Sequence, residues 1–325
     1  MCTAITLLTD HFYFGRTLDY DVVYPSAVTV MPRNFPLKFR ESNQINRHYA
    51  VIGMASVEDN YPLYFDGINE AGLCMAGLNF EGYAVYGLSE GTGDRIAHFE
   101  LIPWVLSQCR SAAEARSLLE KTVLTNISFR EDIPPAKLHW LIADKTESIV
   151  LETTKEGVFL HENPVGVLTN NPTFDQQLFL LNNYMHLSPD TPDNHFSKKL
   201  DLRAYSRGMG LLGLPGDLSS QSRFVRAAFT KLNSVCGNSE SESVSQFFHI
   251  LATVEQVRGA CRIAENQWEI TQYTCCCSAD QGIYYYTTYG NHQITAVDMY
   301  RTALDATRLI CFPLISSEQI LFQSI

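Results

Sequence analysis

The chain has 325 residues, a formal net charge of −11, and 46% hydrophobic against 18% charged residues. That balance supports a sizeable core and excludes a disordered chain, and a pI near 5.3 argues against nucleic acid or an anionic membrane as partner, since both need a basic face. No apolar run reaches the roughly 18–20 residues of a membrane span. Asp10, His11 and Arg16 interrupt the N-terminal apolar stretch, against a signal peptide, and nine irregularly spaced cysteines suit reduced thiols in a cytoplasm better than a disulfide framework.

Cys2 stands directly behind Met1 and opens an apolar strand predicted over 2–9. A second strand is predicted over 12–18, after a tight turn at Asp10-His11, and further strands over 27–31 and 48–55. The stretch from Leu63 to Asn79 reads as a hairpin, because Asn69-Glu-Ala-Gly72 is a turn signal between two apolar runs. A helix is predicted over 99–109, with Pro103 in its first turn, and Ser111-Ala-Ala-Glu114 is a capping box opening a second helix over 112–121. Strands resume over 138–143, 148–153, 158–161 and 165–169, followed by a helix over 174–187.

Residues 188–221 form a long polar, glycine-rich connection, of a length that usually serves function or an interface. Helices over 222–235 and 243–257 and strands over 269–275, 283–289 and 293–299 complete the pattern. Hairpins without an alternating βα repeat favour antiparallel sheets with segregated helices, an α+β fold. No composition break marks a boundary, so one domain is expected over 1–325.

Loss of Met1 would give Cys2 a thiol and a free α-amine on one backbone. The thiol is a nucleophile, and an α-amine of pKa about 7.7–8.0 takes and returns a proton near neutrality. The alternative is a small buried hydrophobe. Arg16 and Asp19 lie on the strand that pairs with that of Cys2; a guanidinium favours a thiolate and a carboxylate orients an amine, although a surface ion pair fits equally. Asn79 and Asn170 end apolar strands, where amides serve either as oxyanion donors or as ordinary turn residues. Arg223 stands near a helix start, facing a site or decorating the surface.

Met1-Cys-Thr-Ala-Ile, Phe14-Gly-Arg-Thr-Leu-Asp19, Asn69-Glu-Ala-Gly-Leu73, Ala76-Gly-Leu-Asn-Phe80, Leu138-His-Trp140, Gly166-Val-Leu-Thr-Asn-Asn-Pro172, Gly213-Leu-Pro-Gly-Asp217 and Ser222-Arg-Phe224 occur in one order. Together they resemble the choloylglycine hydrolase family of bile salt hydrolases and penicillin V acylases, from Met1 to about Met299, and most closely the bile salt hydrolases of Gram-positive gut bacteria. The resemblance implies the N-terminal-nucleophile αββα sandwich. It implies Cys2 as nucleophile with its own amine as base, and Arg16 and Asp19 as its neighbours. Asn79 and Asn170 become oxyanion and amine partners, and Arg223 a further active-site arginine.

Asn79, where penicillin V acylases of the family often carry tyrosine, tilts the substrate toward conjugated bile salts. Tyr24 and Phe65 lie in segments resembling sterol-pocket loops, although both also read as packing aromatics. The implied chemistry is hydrolysis of the C24 amide through a Cys2 thioester, with no metal or organic cofactor; penicillin V acylase is the alternative. A homotetramer is implied, with the 188–221 connection between subunits.

Cys74 stands where relatives commonly have glycine, and residues beyond Arg301 match the family poorly. A zinc site at Cys275-Cys-Cys277 is disfavoured because consecutive strand residues alternate faces. No local signature supports an internal Cys–His hydrolase. A non-catalytic sterol binder would not need the full polar set.

Overall fold

The computed structural model describes residues 1–87 and 93–323. β1 (Cys2–Leu8) and β2 (Phe12–Tyr20) form the predicted first hairpin, in a register that pairs Cys2 with Leu18 and Ala4 with Arg16. β2 is buried from Phe12 to Asp19, so Arg16 and Asp19 are core residues and not a surface pair. β3 (Ser26–Met31) agrees with its prediction, whereas β4 (Val51–Glu58) is displaced toward the C-terminus.

The segment predicted as one hairpin divides into β5 (Tyr61–Tyr64), β6 (Asp66–Asn69) and β7 (Cys74–Asn79). Its turn is built as the sequence implies: Asn69 Oδ1 accepts the N–H groups of Ala71 and Leu73, both at 3.0 Å.

β8 (Asp94–Ala97) precedes a 3-10 turn and α1 (Leu101–Gln108), with Pro103 in the first turn. In α2 (Ala112–Leu119) the Ser111 hydroxyl accepts the Glu114 N–H, but the Glu114 carboxylate takes the Arg110 N–H and leaves the capping box half formed. β9 (Thr122–Thr125) pairs in parallel with β8, a small sheet outside the predicted elements.

β10 (Leu138–Ala143), β11 (Ser148–Thr154) and β12 (Gly157–Glu162) form a meander. β13 (Val167–Leu168) is brief, and α3 (Phe174–Leu180) gives way to a 3-10 turn where Asn182 and Asn183 weaken the helix. α4 (Ser220–Asn233) and α5 (Glu240–Ala252) both begin earlier than predicted. The start of α5 is set by a Ser239–Glu242 capping box.

β14 (Cys261–Ala264), β15 (Gln267–Ser278), β16 (Ile283–Thr288), β17 (Asn291–Asp298) and β18 (Ile310–Pro313) complete the fold. β18 lies in the divergent tail yet pairs with β3; Ser324 and Ile325 at its end lie outside the described residues.

The strands form two large antiparallel sheets. One runs β13-β1-β2-β15-β16-β17 with β14 on β15; the other runs β12-β11-β10-β7-β6-β4-β3-β18 with β5 on β4. A core of Ile5, Phe14, Ala76, Leu78 and Leu141 joins them and extends under α4 and α5 through Phe224 and Phe247. A second core packs α1 and α2 on the other face of the second sheet, around Trp104, Val105, Trp140 and Ile142. The layers are helix, sheet, sheet, helix, the αββα arrangement implied by the sequence. Each sheet is covered on both faces, so its strands read as near-continuous apolar runs.

Gly15 is required by the closeness of the central strands: a Cβ there would lie 2.0 Å from the Cys275 carbonyl oxygen. Gly15→Ala is expected to lower stability by about 1–3 kcal/mol through overpacking, read as a reduced thermal midpoint. An unchanged midpoint would show that β2 and β15 separate freely.

Candidate active site

The hairpin places Cys2 at the end of β1 with its side chain in the core between the sheets, 4% exposed. Its backbone N–H donates to Asn170 Oδ1 at 2.9 Å. Its carbonyl accepts from the Arg223 guanidinium, which also donates to Asn170 Oδ1 at 2.6 Å, Thr3 Oγ1 at 2.7 Å and the Leu218 carbonyl at 3.0 Å. Arg223 is fully buried because α4 starts at Ser220 and turns this position onto the sheet. Inward placement, one of two readings open from the sequence, is the one observed.

Arg16 is also fully buried and donates to the carbonyls of Gly77, at 2.5 Å, and Phe65, at 3.3 Å. Burial works against its charge, but the Cys2 thiol, Tyr273 and Asp66 around it prevail, and its pKa is raised above the ordinary arginine value. Arg223 goes the other way: burial lowers its pKa, opposed by Asp19, Cys2 and Glu269. Both remain cations, since guanidinium groups do not lose their proton in proteins. Two positive charges therefore stand beside one thiol.

Asp19 meets the chain start through its backbone, its carbonyl accepting from the Met1 ammonium at 2.5 Å and its N–H donating to the Met1 carbonyl at 2.9 Å. Its carboxylate is held by Thr271 Oγ1 at 2.6 Å and Thr17 Oγ1 at 3.0 Å, and lies 4.0 Å from Arg223. The Asn170 amide donates to the Asn79 carbonyl at 2.7 Å, joining the two asparagines. Asn79 itself is partly exposed, and among the described residues its side-chain amide has no hydrogen-bond partner. All six expected polar residues thus fall in one cluster or on its immediate rim.

Tyr24 and Phe65 lie side by side, with ring centroids 5.7 Å apart and Tyr20 stacked 5.5 Å from Tyr24. Tyr24 is exposed while Phe65 packs on the core, so the cluster is an apolar wall reaching from the interior to solvent. A separate cavity of about 710 Å³ is lined by Tyr83, Glu152, Phe159 and His161 among others, and none of Cys2, Tyr24 or Phe65 borders it. Cys74 sits at the far end of β7 from Asn79, paired with Ala143; burial pushes its thiol well up from the ordinary value.

Several contributors escaped the sequence reading. Glu269 pairs with the Met1 ammonium, and its one signal is an acid within an apolar strand. Asp66 accepts from Tyr273 and Tyr284 and faces Arg16; burial raises its pKa against the opposing pull of those three groups. The Ser220 hydroxyl oxygen accepts the Asn170 backbone N–H at 2.8 Å. None of these stands near its partner in the chain; the packing of sheet on sheet and of α4 on the first sheet brings them together.

Comparison with known proteins agrees with this geometry. Residues 2–312 match the model of the linear amide C–N hydrolases, choloylglycine hydrolase family. The chain is 55% identical over 319 residues to a bile salt hydrolase/transferase of Lactiplantibacillus plantarum, covering 98% of each. It is 38% identical over 314 residues to one of Clostridium perfringens, covering 95% of each. Its structure is similar to that of the C2A mutant of the conjugated bile acid hydrolase from Clostridium perfringens, with TM-score 0.92, 36% identity and full coverage of both chains. A penicillin V acylase from Agrobacterium tumefaciens, 20% identical with TM-score 0.76 over 97% of this chain and 92% of that one, shares the fold. The chain therefore belongs to the choloylglycine hydrolase family and is a hydrolase of linear amide C–N bonds.

Proposed function

We propose that the chain hydrolyses the C24 amide of glycine- and taurine-conjugated bile salts, releasing the free bile acid and the amino acid. The observation that carries this reading is the Cys2 main-chain nitrogen. It points at Asn170 Oδ1 among Arg16, Arg223 and Asp19, in a chain similar over nearly its full length to proteins named for that reaction.

Once Met1 is removed, that nitrogen is an amine, and it takes the proton of the Cys2 thiol. The Cys2 thiolate attacks the amide carbon, and the carbonyl oxygen gathers negative charge. The unpartnered Asn79 amide and the remaining N–H of Asn170 donate to it, a neutral donor set of the kind acyl transfer requires. The amine passes a proton to the departing glycine or taurine nitrogen, whose bond to carbon breaks, leaving a thioester. It then takes a proton from water as the water's oxygen attacks the thioester, and the acid leaves with Sγ regenerated.

Arg16 and Arg223 flank the attacking sulfur with positive charge, while Asp19 and Asn170 orient the amine. The Tyr24–Phe65 wall supports a rigid sterol face.

Residues 1–325 act in this reading as one domain. A cytoplasmic location is supported by nine free cysteines; among the described residues no helix is long and apolar enough to cross a membrane. A homotetramer is supported by the exposed Phe179, Met185, Phe196 and Tyr205 along and beside the 188–221 connection.

Parallel assays of glycocholate, taurocholate and penicillin V, with intact-mass measurement, test the reaction. The expected result is turnover of the two bile salts by a chain lacking Met1, and none by Cys2→Ala at an unchanged thermal midpoint. Full turnover by a chain retaining Met1 would sink the mechanism. Asn79→Ala is expected to lower kcat by about 10²–10³-fold, the cost of one oxyanion donor. Sedimentation should return four times the 36.6 kDa chain mass, and a monomer would remove the tetramer from the reading.

A further inference from the structure

Behind the two asparagines lies a second polar group that the mechanism does not use. His139, on β10, is fully buried, and its neighbour Leu138 pairs with Asn79 across the strands. The imidazole stacks on Phe80, the residue after Asn79, with centroids 4.2 Å apart and planes 6° from parallel. Its Nε2 lies 2.9 Å from the carbonyl of Thr169, the residue before Asn170, and its Nδ1 lies 3.0 Å from Glu152 Oε1. Asn79 closes one sheet's strand and Asn170 follows a strand of the other, so this ring bridges the sheets where both donors are mounted.

Glu152 holds the same bend from its other side, since its Oε1 accepts the Phe174 N–H at 2.9 Å. Gln177 completes the clamp, donating to the carbonyls of Asn170 and Pro172 and accepting from the Thr169 hydroxyl at 2.7 Å.

The proton count follows from the partners. A backbone carbonyl only accepts, so Nε2 carries a hydrogen. Nδ1 faces a carboxylate oxygen, so it carries one as well. Burial works against the Glu152 charge, yet the His139 hydrogen bond and the nearby His161 ring, 3.4 Å from Oε2, outweigh it and hold the carboxyl below the ordinary glutamate value. Lys155, Glu156 and Asp175 are the other charged residues lining the cavity that Glu152 borders, while Phe80 and Thr169 bring no charge.

We propose that His139, hydrogen-bonded through its two ring nitrogens to Glu152 and to the Thr169 carbonyl, is a positioning residue that fixes the spacing of Asn79 and Asn170 for the transition state. It touches no reacting atom. Its role rests on the hydrolase reading above, because holding an oxyanion donor in place matters only where an oxyanion forms. A misplacement of about 1 Å costs a rate of order 10²-fold.

Two substitutions separate this role from packing. Glu152→Gln keeps the shape and removes the charge, and His139→Phe keeps the stack and removes both hydrogen bonds. In each, kcat for glycocholate is expected to fall by about 10–100-fold while KM stays within about threefold. Alkylation of Cys2 by iodoacetamide, which forms no oxyanion, should proceed at the parent rate. The parent chain with ¹⁵N-labelled histidine should show two slowly exchanging ring N–H signals that vanish in His139→Phe.

A parental kcat in Glu152→Gln, a parallel loss of alkylation and turnover, or a single ring N–H in the parent would overturn the proposal. Should either variant fail to fold, the parent's ring signals still decide it. A parent inactive on every conjugated bile salt would overturn the hydrolase reading by itself, and the ring-proton result would stand apart from that failure.

Discussion

The buried Arg223 guanidinium is the constraint from which the rest of the site takes its geometry. It reaches the Cys2 carbonyl, the Thr3 hydroxyl, the Asn170 side chain and the Leu218 carbonyl from one fixed fork. A cation in a core is tolerable only when its donors find acceptors, and this one finds them on β1, on the segment after β13 and before α4. Removing any of these partners would leave an uncompensated charge, so the three segments are held together by electrostatic necessity as well as by packing. Asn170 inherits its orientation from that fork: its oxygen is shared between Arg223 and the Cys2 nitrogen, and its amide is left to face Asn79.

Arg16 is the counterpart on the other side of Cys2. It lies on β2, in register with Ala4, and ties itself to the second sheet through the Gly77 and Phe65 carbonyls. The strand of Cys2 is thus flanked on one side by a helix-borne arginine and on the other by a strand-borne one. Burial works against the charge of both, but around Arg16 the Cys2 thiol, Tyr273 and Asp66 outweigh it, whereas around Arg223 the pull of Asp19, Cys2 and Glu269 does not. Function here comes from the sandwich itself, with helices and sheets each supplying part of one small polar chamber.

Much of this was legible in the chain. The first hairpin, the Asn69 turn, the strand over 138–143 and the αββα class follow from apolar runs, turn chemistry and a motif set in register. What the sequence hides is long-range pairing. Arg16 and Asp19 read equally well as a surface pair, because a strand buried on both faces looks the same whether its charges point into a site or toward a loop end. Arg223 turned on a helix start two residues earlier than its pattern implied. Asp66 and Thr271 carry no local mark, and Glu269 only that of an acid within an apolar strand, since their meaning depends on β15 lying beside β2 and on the second sheet packing against both. The small β8–β9 sheet and β18 were missed because four-residue strands give too few alternations to register as a period.

Glu269 and the half-buried Met1 have one further consequence, for the timing of maturation. In the folded chain the bond joining the first two residues is sealed at both ends, its amide hydrogen occupied by Asn170 and the leading ammonium clasped by the Glu269 carboxylate. A trimming peptidase needs that bond extended and in the open. On the proposed chemistry, a chain that folds before it is trimmed has to undo both contacts before its start can be processed.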